Sequence, residues 1–83
     1  MDKWLRNNAA LIQQLQRLCA DHGCSSGTAG HVVAYLLSVR ELRRAAVHAD
    51  LGADLVDAQV KNRLQDELPA EVASWAYARL YAP

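Results

Sequence analysis

Residues 31–49, HVVAYLLSVRELRRAAVHA, form the longest run of the chain without a helix breaker, and they change character halfway. The first half is almost wholly apolar: Val32, Val33, Ala34, Tyr35, Leu36, Leu37 and Val39. The second half carries Arg40, Arg43, Arg44 and His48. At about 3.6 residues per turn, Val32, Tyr35, Leu36, Val39, Leu42, Ala46 and Ala49 line one helical face. Val33 and Leu37 widen the apolar surface at the start, so that end is expected to be buried on more than one side. Arg40, Arg44 and His48 fall at i, i+4 and i+8 and share one stripe, expected to be exposed. The stretch therefore reads as a central helix of about residues 29 to 50, a core element at its start and a basic edge at its end.

Eighty-three residues make one domain, 1–83. A chain this short buries only about 60–65% of its unfolded surface, so its stability margin is thin and a dimer or complex would help it. Apolar residues make up 52%, which is not the composition of a disordered chain. Nine basic and nine acidic residues give zero formal net charge. The distribution is uneven. Residues 40–48 hold three arginines against Glu41, whereas residues 50–71 hold six acids against Lys61 and Arg63. Zero net charge argues against a protein whose main task is gripping a phosphate backbone, although it allows a local basic contact. No apolar run approaches the roughly 18 residues that span a membrane, and MDKWLRNN lacks the apolar centre of a signal peptide. The reading is a cytoplasmic protein with reduced cysteines and no membrane contact.

Working outward, residues 2–22 read as an amphipathic helix with Asp2 as its cap. Trp4, Leu11, Leu15 and Leu18 follow a 4-3 spacing with Asn8 in the same seam, and Leu5, Ile12 and Cys19 lie beside it. Gly23 is the expected stop. Residues 23–30, GCSSGTAG, form the small-residue connection, with Ser26 or Thr28 able to cap the central helix. Gly52 is expected to end that helix. Residues 54–67 make a third helix, capped by Asp54, whose narrow stripe is Val56, Val60 and Leu64 and whose Asp57–Lys61 spacing suits an i, i+4 ion pair. Pro69 suits the first position of a last helix, 69–81. There Val72, Trp75, Ala76, Tyr77, Leu80 and Tyr81 spread apolar and aromatic surface nearly all round. Trp75 and Leu80 are expected in the core. Tyr77 and Tyr81 are expected at the surface, where one edge of the helix can dock a partner or a second copy of the chain.

Chemistry-bearing residues are few. Cys19, His22, Cys24 and His31 are all zinc-ligand types, but C-x2-H-x-C-x6-H is not a common structural zinc spacing, and Cys19 beside an apolar stripe behaves as a small hydrophobe. Ser25 and Ser26 lie near His22 and His31 in the loop, yet nothing forces a nucleophile and a base to converge. The glycine-rich loop has no preceding strand and no lysine in Walker spacing, so it reads as an ordinary connection. No metal, cofactor or catalytic group is implied. A helix-turn-helix across residues 43–64 would place Lys61 at a buried position, and its second helix would be acidic.

NRLQDELP at 62–69, followed by Val72 and Trp75, resembles the end of the Hha/YmoA family of small helical modulators that bind nucleoid proteins. The resemblance does not reach the first helix, and the family's acidic helical contact would fall on Ala53 rather than Asp54. AYLLSVRELRRAA at 34–46 is similar to one helical hairpin of a tetratricopeptide repeat, as in some secretion chaperones, although Val39 stands where a small residue is expected and no second copy occurs. Both resemblances imply a protein-binding role.

The expectation is an all-α protein, a compact four-helix bundle with short connections. Its expected function is that of a non-catalytic regulator, an adaptor, inhibitor or chaperone-like protein that binds another protein. Arg40, Arg43, Arg44, His48, Trp75, Tyr77 and Tyr81 are the candidate contact residues, with a homodimer through the C-terminal helix as one form. The competing expectation is a nucleic-acid-binding regulator using the Arg40/Arg43/Arg44/His48 stripe.

Overall fold

The computed structural model describes residues 2–82. The chain is an all-α bundle with no strand among those residues. Five α-helices follow one another: α1 (Lys3–Asn7), α2 (Ala9–Asp21), α3 (Thr28–His48), α4 (Ala53–Glu67) and α5 (Ala70–Ala76), the last continuing as a π-helical turn, Tyr77–Tyr81.

The first expected helix is two. Asp2 caps it as the sequence predicts, its Oδ1 accepting from the amides of Trp4 at 2.7 Å and Leu5 at 3.4 Å. Asn8 then breaks it. Its side-chain amide donates to the Trp4 carbonyl at 2.9 Å, competing for an acceptor of the helical ladder. The interruption is a kink, because the Asn8 carbonyl still receives the Ile12 amide at 2.9 Å. Trp4 still packs against the core, while in α2 Leu15 and Cys19 are buried.

α2 stops where expected. Gly23 has φ 77°, its amide donates to the Ala20 carbonyl, and the Cys24 amide donates to the Cys19 carbonyl at 2.9 Å. This paired closure is a Schellman motif, which needs a left-handed residue at its corner. α3 closes in the same way, but not on glycine. Asp50 takes the left-handed corner at φ 56°, with the Asp50 amide on the Val47 carbonyl and the Leu51 amide on the Ala46 carbonyl. Gly52, at φ 78°, instead begins α4 as its N-cap, a place expected for Asp54. Gly27 rather than Ser26 or Thr28 caps α3, and the Ser25 and Thr28 hydroxyls bond each other at 2.9 Å. Pro69 precedes the last helix as its N-cap.

α3 is the spine. It packs along α4 and against α2, α4 packs on α5, and the π-helical turn meets α2, α3 and α4. The core gathers Leu15, Val32, Leu36, Val60, Leu64 and Val72, all almost completely shielded. Along α3 the buried positions are Ala29, Val32, Leu36, Val39 and Ala46, and from Val32 onward half-buried Arg43 fills the gap between the last two. That 4-3-4-3 progression departs from the broader stripe read from the sequence. Leu42, expected inward, is 53% exposed, and Ala49 also faces solvent. A straight helix against an antiparallel neighbour keeps the narrower seam in contact, and residues on its flanks drift outward.

At the C-terminus, Leu80 is buried as expected, whereas Trp75 is half-buried and Tyr81, expected outside, is only 9% exposed. The Ala82 amide reaches back five residues to the Tyr77 carbonyl at 2.8 Å. The wider turn lets the consecutive residues Leu80 and Tyr81 both face the bundle. Exposed large apolar side chains therefore lie around the end of α3 and the start of α4, at Leu42, Val47, Leu51 and Leu55, and not on the last helix.

Candidate functional site

The second half of α3 and the last residue of the π-helical turn enclose a surface groove of about 390 Å³. Its lining is Arg40, Arg43, Arg44, Val47, His48 and Tyr81. The four basic residues singled out from the sequence and one of the three aromatic ones thus come together. Trp75 and Tyr77 do not join them. Trp75 borders a depression with Gln14, Arg17 and Leu18. Tyr77 borders another with Lys61, Gln65 and Ser74, although its ring lies 5.3 Å from that of Tyr81.

The cationic residues have distinct surroundings. Arg40 is half-buried and sets its guanidinium 5.1 Å over the Trp4 ring, so α1 is held to the spine through a cation–π contact. Arg44 is exposed and stands 3.5 Å from Glu41, one turn back on the same helix. His48 is the last residue of α3 and is exposed.

Arg43 forms the floor. Its Nε donates to Asp57 Oδ1 at 2.7 Å and its Nη2 to Oδ2 at 3.4 Å. The Tyr81 hydroxyl donates to the same Oδ1 at 2.5 Å. One carboxylate on α4 therefore ties α3 to the chain terminus. The Arg43 guanidinium bonded to Asp57 holds that carboxyl below its ordinary range, burial opposes this, and the Tyr81 hydroxyl adds to the lowering. Burial first, and the bond to Asp57 second, push the Tyr81 hydroxyl well above its usual value. The cluster is consequently an arginine–carboxylate–phenol unit that joins α3, α4 and the π-helical turn.

The sequence reads Asp57 as a surface partner of Lys61, whereas the fold pairs it with Arg43. The signal was present: Arg43 continues the Val32, Leu36, Val39 seam, and Asp57 stands in the 3-4 series with Val60 and Leu64. Two opposite charges in facing seams are expected to pair. Trp4 and Val47 were also missed as neighbours of the stripe.

The other candidate constellation does not assemble as a metal centre. Cys19 and Cys24 are side by side and free, and His22 turns to Glu71, 3.7 Å away. His31 lies beside Gly27, with its ring on the approach that a Cβ there would take. Among the described residues no group of three or more His, Cys, Asp or Glu could hold a metal ion. No helix among them is long and apolar enough to cross a membrane.

Residues 34–46 lie within one uninterrupted helix rather than a helical hairpin. Comparison with known protein families, curated proteins and solved structures gives no match.

Proposed function

We propose that this chain is a small non-catalytic adaptor, inhibitor or chaperone-like regulator in the cytoplasm, which binds an acidic, partly apolar segment of another protein in the groove between α3 and Tyr81. The single observation that carries this reading is the make-up of the groove, in which Arg40, Arg44 and His48 flank Val47 and the Tyr81 ring. Such a mixture suits a peptide with carboxylates beside an apolar anchor. Leu42, Leu51 and Leu55 add exposed apolar surface at the same end of α3 that a protein partner can cover.

Nucleic acid is the weaker reading. Arg43 is neutralised by Asp57, and Arg44 has Glu41 beside it, so the stripe has less free charge than its sequence indicates. A homodimer through the C-terminal helix now relies on Trp75 and Tyr77, because Tyr81 is used inside the chain.

Fluorescence titration of a labelled Glu/Leu-rich peptide, against a short DNA duplex, separates the readings. The peptide should bind at physiological salt and lose at least tenfold in affinity in the Arg44→Glu/His48→Glu double variant, whose side chains are exposed. Binding of the duplex alone, falling steeply with added salt, would favour the nucleic-acid reading. Equal peptide binding by wild type and double variant removes the groove from consideration.

A further inference from the structure

The Schellman motif that ends α2 does more than stop a helix. Its two hydrogen bonds, Gly23 amide to Ala20 carbonyl at 3.1 Å and Cys24 amide to Cys19 carbonyl at 2.9 Å, bring the first and last residues of a six-residue turn together. These are the positions at which such motifs ordinarily make an apolar side-chain contact. Here both positions carry free thiols, one at each end of the backbone closure. Cys19 is buried at 3% exposure, whereas Cys24 is half-buried. Both border a surface cavity of about 380 Å³ that Gln16, Ser26 and Gly30 help to form, so a small reagent can reach them.

We propose that Cys19 and Cys24 are a reversible redox dithiol, closing to an intramolecular disulfide across the C-terminal turn of α2 when a peroxide is the oxidant. The roles differ. Burial first, and the neighbouring Cys24 second, push the Cys19 thiol up to about 11, so it stays protonated and does not begin the reaction. Cys24 loses its proton and its sulfur attacks one peroxide oxygen. The O–O bond breaks, Cys24 becomes a sulfenic acid, and the departing hydroxide takes up the proton as water. The Cys19 sulfur then attacks the Cys24 sulfur. The S–S bond forms, the S–O bond breaks, and the hydroxide leaves with the Cys19 proton as a second water. Two thiols lose two electrons and two protons, and one peroxide becomes two waters. An external thiol reverses the change by exchange. His22, one of the four residues between them, contacts Glu71 at 3.7 Å, so the closed ring stiffens the turn that meets α5.

The test uses the whole chain and stoichiometric hydrogen peroxide, read by intact mass and by alkylation after denaturation. The expected product has lost the mass of two hydrogens, resists alkylation at both cysteines, runs as a monomer on a non-reducing gel and returns to the starting mass with dithiothreitol. Cys24→Ser should leave Cys19 reduced under the same conditions. Cys19→Ser should leave Cys24 as the sulfenic acid or carry it to a cross-link between chains. Should Cys19→Ser lose its helical circular dichroism, Cys19→Ala removes the thiol without burying a hydroxyl and gives the same readout. A wild-type protein that stays reduced, gains oxygen at Cys24 while Cys19 remains open to alkylation, or forms only intermolecular links overturns the proposal.

Discussion

The Tyr81 hydroxyl and the Asp57 carboxylate, 24 positions apart, meet at 2.5 Å and fasten the end of the chain to α4. Because Asp57 also receives the Arg43 guanidinium, this one contact fixes both walls and the floor of the groove. Tyr81→Phe keeps the ring and deletes the hydrogen bond to a charged acceptor, so it should destabilise the protein by about 1–2 kcal/mol. Urea unfolding followed by circular dichroism checks it, and an unchanged midpoint would mean that water replaces the hydroxyl without loss.

The same cluster sets the acid limb of stability. Folding lowers the Asp57 carboxyl below its reference value of 3.8, chiefly through the Arg43 bond. The folded state then binds fewer protons than the unfolded state in acid, so this contribution is present in full above the unfolded value and is lost as pH falls through the lower folded one. Thermal melts of wild type should therefore fall more steeply below about pH 4 than those of Asp57→Asn, which has lost this titration. The alkaline limb has the opposite cause. Tyr81 is raised above 10.0 in the fold, mainly by burial, so its contribution is present below that value and fades as pH rises further.

The two left-handed corners between α3 and α4 make the same demand on different residues. Asp50 sits at φ 56°, a region that costs residues with a Cβ. Asp50→Gly should therefore stabilise the protein by about 0.5–1 kcal/mol. Gly52→Ala should destabilise it by about 1–2 kcal/mol, through its φ of 78°. Packing adds little there, since the new Cβ would meet Leu55 Cδ1 at 3.4 Å. Chemical denaturation of the two variants in parallel reads both signs.

Leu36 lies at the centre of the spine with no exposed surface. Leu36→Ala should cost about 2–5 kcal/mol by leaving a cavity between helices. In a domain this small that is most of its stability, and circular dichroism at room temperature should show a largely unfolded population. A melt like that of wild type would mean that α3 does not carry the core.

Arg40 should matter to α1 more than to the bundle. None of the residues of α1 is fully buried, and the guanidinium over Trp4 is its link to α3. Arg40→Ala should speed amide hydrogen exchange through Lys3–Asn7 while leaving the exchange of Leu36 and Leu64 amides unchanged. Equal protection of α1 in both proteins would show that Trp4 is held by its apolar contacts alone.

The sequence by itself determined the helical class, the central helix, the stop at Gly23, the Asp2 cap and the burial of Leu36, Val60, Leu64 and Leu80. These follow from local rules: periodicity, capping and the left-handed freedom of glycine act within a turn or two of the chain. It also marked the basic stripe, because i, i+4 spacing alone puts Arg40, Arg44 and His48 on one side. Only the tertiary structure decided what that stripe faces. The pairing of Arg43 with Asp57, the inward turn of Tyr81 and the stacking of Arg40 on Trp4 join residues 14, 24 and 36 positions apart. Each depends on the register between helices, on the kink at Asn8 and on the widened turn at Tyr77–Tyr81. No short-range periodicity contains that information: Tyr81 reads as a surface residue until α4 sets a carboxylate opposite its hydroxyl.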